Sequence, residues 1–189
     1  MRTFKLNPPI VFDNDCLSCF LWTRQVDLLL QVMAGKPIVV PDQVVTELAH
    51  LNATRFSWVY QLLDHEIKVN NIITLALPAA DPAAVEFAAL TDIRGSRPMG
   101  SGEAAVLATV KFNGGTVASN NLADVYDYCT NHVLELISTD DILCLSVQGH
   151  LITNSQADTL WNEMLKRKRR LPIYGFAEAY RRFCMDEVK

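Results

Sequence analysis

The stretch that decides the fold is Ile10-Val11-Phe12-Asp13-Asn14-Asp15-Cys16-Leu17. Three apolar residues follow Pro8-Pro9 and stop at an acid. A short run with no polar alternation reads as a strand buried on both faces. From Cys16 the apolar residues recur with helical spacing to Trp22, and again from Val26 to Met33, until Lys36-Pro37 breaks the pattern. Ile38-Val39-Val40 is a second apolar strand, closed by Pro41-Asp42, and Asp42 is placed to cap a helix running to about Leu51. Helices are expected over about Phe56–His65 and Asp81–Ile93, with a strand somewhere in Ile67–Ile73. Gly95 to Gly102 reads as a loop, and Glu103 to Phe112 as a helix. Gly114-Gly115 then turns into the strand Thr116-Val117-Ala118, and Ser119-Asn120-Asn121 caps the next helix. A strand over Leu134–Ile137 and helices to the C-terminus complete the chain.

Short apolar strands alternating with helices predict an α/β fold, a parallel sheet covered on both faces. Ligands of such sheets bind at the carboxyl ends of the strands, beside a topological switch point. That rule selects Asp13, the residues after Val40 and the segment Ser119–Asn121 as neighbours.

The composition sets the bounds. The 189 residues suffice for one domain, half of them are hydrophobic and a fifth charged, a globular profile. A net charge of −4 argues against a generally basic nucleic-acid coat protein but leaves room for a local basic groove. Cys16-Leu-Ser-Cys19 is a lone CxxC with no second pair and no histidine beside it, and reads as two small buried residues. No run reaches the ~18 apolar residues of a membrane span, so the expected location is the reducing cytoplasm. The four histidines are scattered and suggest no ligand set.

Several carboxylates stand against apolar faces. Glu103 shares its side of a helix with Val106, Leu107 and Val110; a metal ion would compensate such an acid, or the helix dipole of the first turn would favour it. Glu47 lies at the edge of a stripe made by Val44, Leu48 and Leu51, as a site acid or as a solvated flank residue. Asp124 follows Asn121 by three, as a reciprocal cap or as a ligand. Asp15 either joins Asp13 or caps the helix after it. Three or four carboxylates from separate elements suit Mg²⁺ or another hard divalent ion, and phosphoryl chemistry.

In order along the chain, four segments resemble the motifs of the PIN-domain family. They are Ile10-Val-Phe-Asp13-Asn-Asp-Cys-Leu17, Ile38-Val-Val-Pro-Asp-Gln-Val-Val-Thr-Glu47-Leu48, Gly100-Ser-Gly-Glu103-Ala-Ala-Val-Leu-Ala108 and Thr116-Val-Ala-Ser-Asn-Asn-Leu-Ala-Asp124. The resemblance covers roughly Ile10 to Ile152. It implies a three-layer α/β/α sandwich with a central parallel sheet and hydrolysis of RNA phosphodiester bonds with Mg²⁺ or Mn²⁺. Asp13, Glu47 and Glu103 would hold the metal, and Asp124 would complete or support the set. The family includes toxins of toxin–antitoxin pairs, so an antitoxin protein is an expected partner; the apolar helices after residue 150 offer a homodimer interface as another. The sequence departs from the family at Asn14, where Thr or Ser is common, and at Asn120-Asn121, where an aspartate is usual. On this reading residues 1–189 form one PIN-like domain, with helices from about residue 155 appended to its core.

Two other functions compete. A catalytically weak PIN-like binding module is favoured by Asn120-Asn121. Val11-Phe-Asp13-Asn-Asp15-Cys also resembles the opening motif of haloacid-dehalogenase-like phosphatases, with Asp13 as nucleophile and Asp140-Asp141 as a later acidic pair. That reading lacks the expected Gly-Thr after the second aspartate and leaves Glu47 and Glu103 without a role. Lys166-Arg-Lys-Arg-Arg170 reads as a solvated helix end or as a phosphate contact, and Arg94 and Arg97 as loop residues that overhang the site. Trp22, Trp58 and Trp161 fall in helical apolar patterns, as core or interface residues rather than base-stacking platforms.

Overall fold

The computed structural model describes residues 6–94, 98–171 and 174–185. Five parallel strands form one sheet: β1 (Ile10–Phe12), β2 (Ile38–Pro41), β3 (Ile72–Leu75), β4 (Thr116–Ala118) and β5 (Glu135–Ile137), in the order β3-β2-β1-β4-β5. Ile10 is in register with Ile38 on one side and with Thr116 on the other. The expected α/β architecture is thus the observed one.

Alternation along the strands divides the apolar residues between two cores. Ile10, Phe12, Ile38 and Val40 face a large core. Val11, Val39 and Val117 face a smaller one on the opposite side of the sheet. Seven helices contribute to the large core: α1 (Asn14–Trp22), α2 (Val26–Val32), α3 (Asp42–Ala49), α4 (Ser57–Lys68), α8 (Thr139–Gln148), α9 (Asn154–Lys166) and α10 (Gly175–Met185). The smaller core is closed by α5 (Pro82–Thr91), α6 (Ser101–Asn113) and α7 (Leu122–His132). The result is three layers, helices on sheet on helices. Trp161, Met164, Phe176 and Phe183 of the last two helices belong to the same large core as β1.

Local chemistry explains where the elements differ from expectation. Helix α4 continues through Lys68 and ends where Asn70 adopts φ +60, a left-handed conformation that asparagine tolerates, so β3 starts only at Ile72. Pro41, not Asp42, is the N-cap of α3, because β2 pairs through Pro41 with Leu75 and leaves Asp42 as the first helical residue. Asp13 itself is the N-cap of α1, and Asp15 stands in the first turn. Cys16 and Cys19 are buried free thiols, as read from the sequence, and burial pushes the Cys19 thiol up to about 12. Gly115 has φ +121, and a Cβ there would lie 2.5 Å from the Pro9 carbonyl oxygen. Only glycine lets β4 approach the start of β1 this closely.

Candidate metal centre

The chain runs β1-β2-β3 outward on one side of the sheet and β4-β5 on the other, so the switch point lies between β1 and β4. Asp13 and Ser119 are the residues just past the carboxyl ends of those two strands. Both are buried. The Asp13 amide continues the ladder by donating to the Ala118 carbonyl at 3.0 Å.

The Asp13 carboxylate is held from two sides. Oδ1 accepts the Cys16 amide at 2.7 Å, the N-cap bond of α1, and Oδ2 accepts a short hydrogen bond from the Ser119 hydroxyl. Burial nevertheless pushes its pKa up from the ordinary carboxylate value to about 7, against those two hydrogen bonds, and the charges of Asp15 and Glu103 push the same way.

Helix α3 brings Glu47 to the cleft. Val44 and Leu48 are buried, which turns the neighbouring edge of the helix toward α1 and α6. Glu47 Oε1 accepts the Gly102 amide at 3.0 Å and the Ser101 hydroxyl at 3.1 Å, at the N-terminus of α6. Its Oε2 accepts the Asn14 side-chain amide at 3.1 Å, while Asn14 Oδ1 accepts the Ser18 hydroxyl at 2.7 Å. Asn14, next to Asp13, is thus the strut between α1 and Glu47. A Cβ at Gly102 would sit 3.1 Å from Glu47 Oε1 and 3.2 Å from Val44, so glycine is what leaves room for the carboxylate. The sequence places Ser119 in a helix-capping segment near Asp13 and Gly102 in the stretch leading into Glu103, but assigns neither a role toward an acid. Nothing in a pattern of hydrophobicity marks a hydroxyl that bonds an acid 106 positions away.

Glu103 stands in the first turn of α6, half-buried beside Val106, Leu107 and Val110 of the smaller core. Burial raises its pKa, the Asn121 hydrogen bond opposes the rise, and Asp124 and Asp15 add to it. The Asn121 side-chain amide donates to Glu103 Oε1 at 2.5 Å and to Asp124 Oδ2 at 2.6 Å. The amide sits between two acids that would otherwise repel, and so links Asp124 to Glu103. Asn121 is the N-cap residue of α7, yet its side chain makes no capping bond; its amide donates to the two acids.

Asp13, Asn14, Asp15, Glu47, Gly100, Gly102 and Glu103 line one cleft of about 120 Å³. The opening is small and its walls carry oxygen donors, the ligand type of Mg²⁺ and Mn²⁺. Burial is the main cause of the raised pKa values at Asp13 and Glu103, with the neighbouring acids adding to it; the carboxylate donor set itself fits a hard divalent ion in chemistry. Among the described residues no three acids are yet drawn together as one ligand group. Each is held on its own wall by the hydroxyl, amide and backbone donors above.

The remaining expectations separate cleanly. Asp140 and Asp141 do not join Asp13. Asp141 accepts the Ser138 amide at 3.0 Å in a capping box for α8, Asp140 accepts the Tyr174 hydroxyl at 3.1 Å, and both line a different depression with Tyr126 and Val133. Arg94 is paired with Asp92 at 2.9 Å instead of overhanging the cleft, and Arg97 lies outside the described residues. The basic run does reach the site: Arg170 Nη1 stands 3.3 Å from Asp15 Oδ2. Asn120 anchors that approach, donating to the Arg170 carbonyl at 3.0 Å and accepting the Thr139 amide at 2.9 Å.

With this geometry in place, a likeness among solved structures can be stated. The fold is shared with a chain of VapBC2 from Rickettsia felis. That structure was solved bound to a DNA fragment from the promoter, and the match has a TM-score of 0.51 over 68% of this chain and 97% of that one. At 12% identity the likeness is one of fold alone. No protein-family model matches the sequence, and no curated protein sequence matches it. No helix among the described residues is long and apolar enough to cross a membrane.

Proposed function

We propose that this chain is a PIN-like, divalent-metal-dependent endoribonuclease, acting as the toxin of a toxin–antitoxin pair. The observation that carries the reading is the convergence of Asp13, Asp15, Glu47 and Glu103, from three separate helices, on one cleft at the β1–β4 switch point. The fold shared with a chain of VapBC2 supports the same reading, and an antitoxin protein is the partner it proposes.

On this reading Asp13, Glu47 and Glu103 hold Mg²⁺ or Mn²⁺, and Asp124 supports Glu103 through Asn121. A bound divalent ion neutralises phosphate charge and lowers the pKa of a water, the two requirements of phosphodiester hydrolysis. The chain supplies the preorganisation. Ser119 and the Cys16 amide fix both oxygens of Asp13. Asn14, Ser101 and Gly102 fix both oxygens of Glu47. Asn121 keeps Glu103 and Asp124 together in spite of their charges. Arg170, at the mouth beside Asp15, meets the substrate's phosphates with a cation.

A second reading, a PIN-like binding module without activity, has one observation in its favour: the acids are individually satisfied and not gathered as a ligand group. RNA cleavage with Mg²⁺ or Mn²⁺ tests the two. The ribonuclease reading expects cleavage by the wild type that is lost with a chelator and in Asp13→Asn. Cleavage that survives Asp13→Asn overturns the proposed site. RNA or protein binding without cleavage under any metal establishes the module instead.

A further inference from the structure

Trp161 is fully buried, as a core tryptophan should be, but Trp22 and Trp58 are only half-buried. They form a cluster at the C-terminal end of α1. The Trp22 ring lies 4.8 Å from Phe56 and 5.8 Å from Trp58, edge-on to the latter. Three guanidinium groups rest on these rings: Arg169 5.0 Å from Trp22, Arg24 4.8 Å from Trp58 and Arg55 4.8 Å from Phe56. Among the described residues no carboxylate is within ion-pair distance of Arg24, Arg55 or Arg169. In a chain of net charge −4, such a gathering of cations calls for an anionic partner.

The cluster connects to the cleft. Arg170 touches Asp15 on the cleft wall, and the adjacent Arg169 covers Trp22. Asp15 and Trp22 belong to the same nine-residue helix, so the aromatic cluster lies about 10 Å from Asp15 along α1. Between the arms is an open depression of about 370 Å³, lined by Trp22, Thr23, Arg24, Trp58, Glu163 and Arg167. Its two indole rings and two guanidinium groups meet the requirements of an unpaired base and its phosphate. Glu163, its acid, can accept a base amino group. A protein partner would satisfy the charge, but would not require flat rings with cations laid over them.

We infer that single-stranded RNA is held on this face, its backbone following Arg170, Arg169 and Arg24 from the cleft and an unpaired base stacking at Trp22 and Trp58. The inference rests on the ribonuclease reading for its substrate class. Binding of a short fluorescent RNA is measured with a chelator present, so that no cleavage occurs. Cleavage of the same RNA is measured separately with Mg²⁺. The wild type is expected to prefer the single strand over a duplex of equal length and to show quenched tryptophan fluorescence on binding. Arg24→Gln with Arg169→Gln, the first exposed and the second half-buried, should weaken single-strand binding about tenfold. The double variant should also flatten the dependence of log affinity on log salt by about 0.7 for each phosphate it no longer neutralises. Trp58→Ala should lose about tenfold, and Trp58→Phe should restore most of it. In the cleavage assay these variants should raise KM and leave kcat. Wild-type affinity and salt slope in the arginine pair, no RNA binding by the wild type, or equal binding of duplex and single strand overturns the inference. Binding on this face by a protein that never cleaves leaves the inference standing and overturns the nuclease reading.

Discussion

After β1 the chain runs Asp13-Asn14-Asp15, and after β5 it runs Ser138-Thr139-Asp140-Asp141. Both segments leave a strand at the same edge of the sheet, both begin a helix, and both carry two acids. At β5 the acids serve local structure: Asp141 closes a capping box with Ser138, and Asp140 holds Tyr174 of the C-terminal segment. At β1 the capping acid is met by Glu47 and Glu103 from distant helices. The difference is position in the sheet. Strand β5 is an edge strand beside solvent, whereas β1 is central, with the switch point at its flank. The same local grammar therefore yields a cap at the edge and a charged cleft at the centre.

The comparison breaks most visibly in cleavage. Asp13→Asn or Glu103→Gln is expected to reduce metal-dependent RNA cleavage at least about a hundredfold, roughly 3 kcal/mol of barrier, while Asp140→Asn changes it less than about twofold. Initial rates on one RNA at fixed metal check this. Comparable losses in all three would erase the distinction.

The next effect is on stability, with a definite pH sign. The pKa of Asp13 is raised in the folded protein from 3.8 to about 7, so the folded state holds a proton that the unfolded state releases. The resulting destabilisation is absent below pH 4, grows as pH rises toward 7 and is constant above it. Asp13→Asn should therefore be more stable than wild type at pH 8, by on the order of 4 kcal/mol, and about equal near pH 4. Urea melts at the two pH values measure it. A variant less stable than wild type at pH 8 would show Asp13 to be purely a cap.

Smaller effects sharpen the picture. Gly102→Ala crowds Glu47 and Val44 and should lower cleavage about tenfold, near 1.4 kcal/mol, with metal affinity falling alongside; unchanged kinetics would show that the Glu47 position is not critical. Asp141→Asn weakens the α8 capping box and should cost about 1 kcal/mol of stability, with cleavage unaltered. Thermal melts and rates on the same preparation test both halves.

The sheet was legible because its strands are short, apolar and separated by helical periods. Asp13, Glu47 and Glu103 were legible for a related reason, as acids set into or beside apolar patterns. Asp124, named as completing or supporting the set, is joined to Glu103 through the Asn121 amide. What stayed hidden depends on contacts between distant elements. Ser119, Asn14 and Gly102 act on acids carried by other helices or strands, and no local spacing records that. The approach of Arg170 to Asp15, 155 positions apart, is equally invisible along the chain. Even the end of α4 turned on one left-handed asparagine, a choice that periodicity does not encode.

Mn²⁺ binding, titrated by electron paramagnetic resonance, tests the central claim most directly: that the acids around Asp13 form a divalent-metal site. The account predicts that wild type and Asp140→Asn bind Mn²⁺ alike, and that Asp13→Asn and Glu103→Gln bind it at least about tenfold more weakly. Equal affinity in the wild type and Asp13→Asn would contradict it.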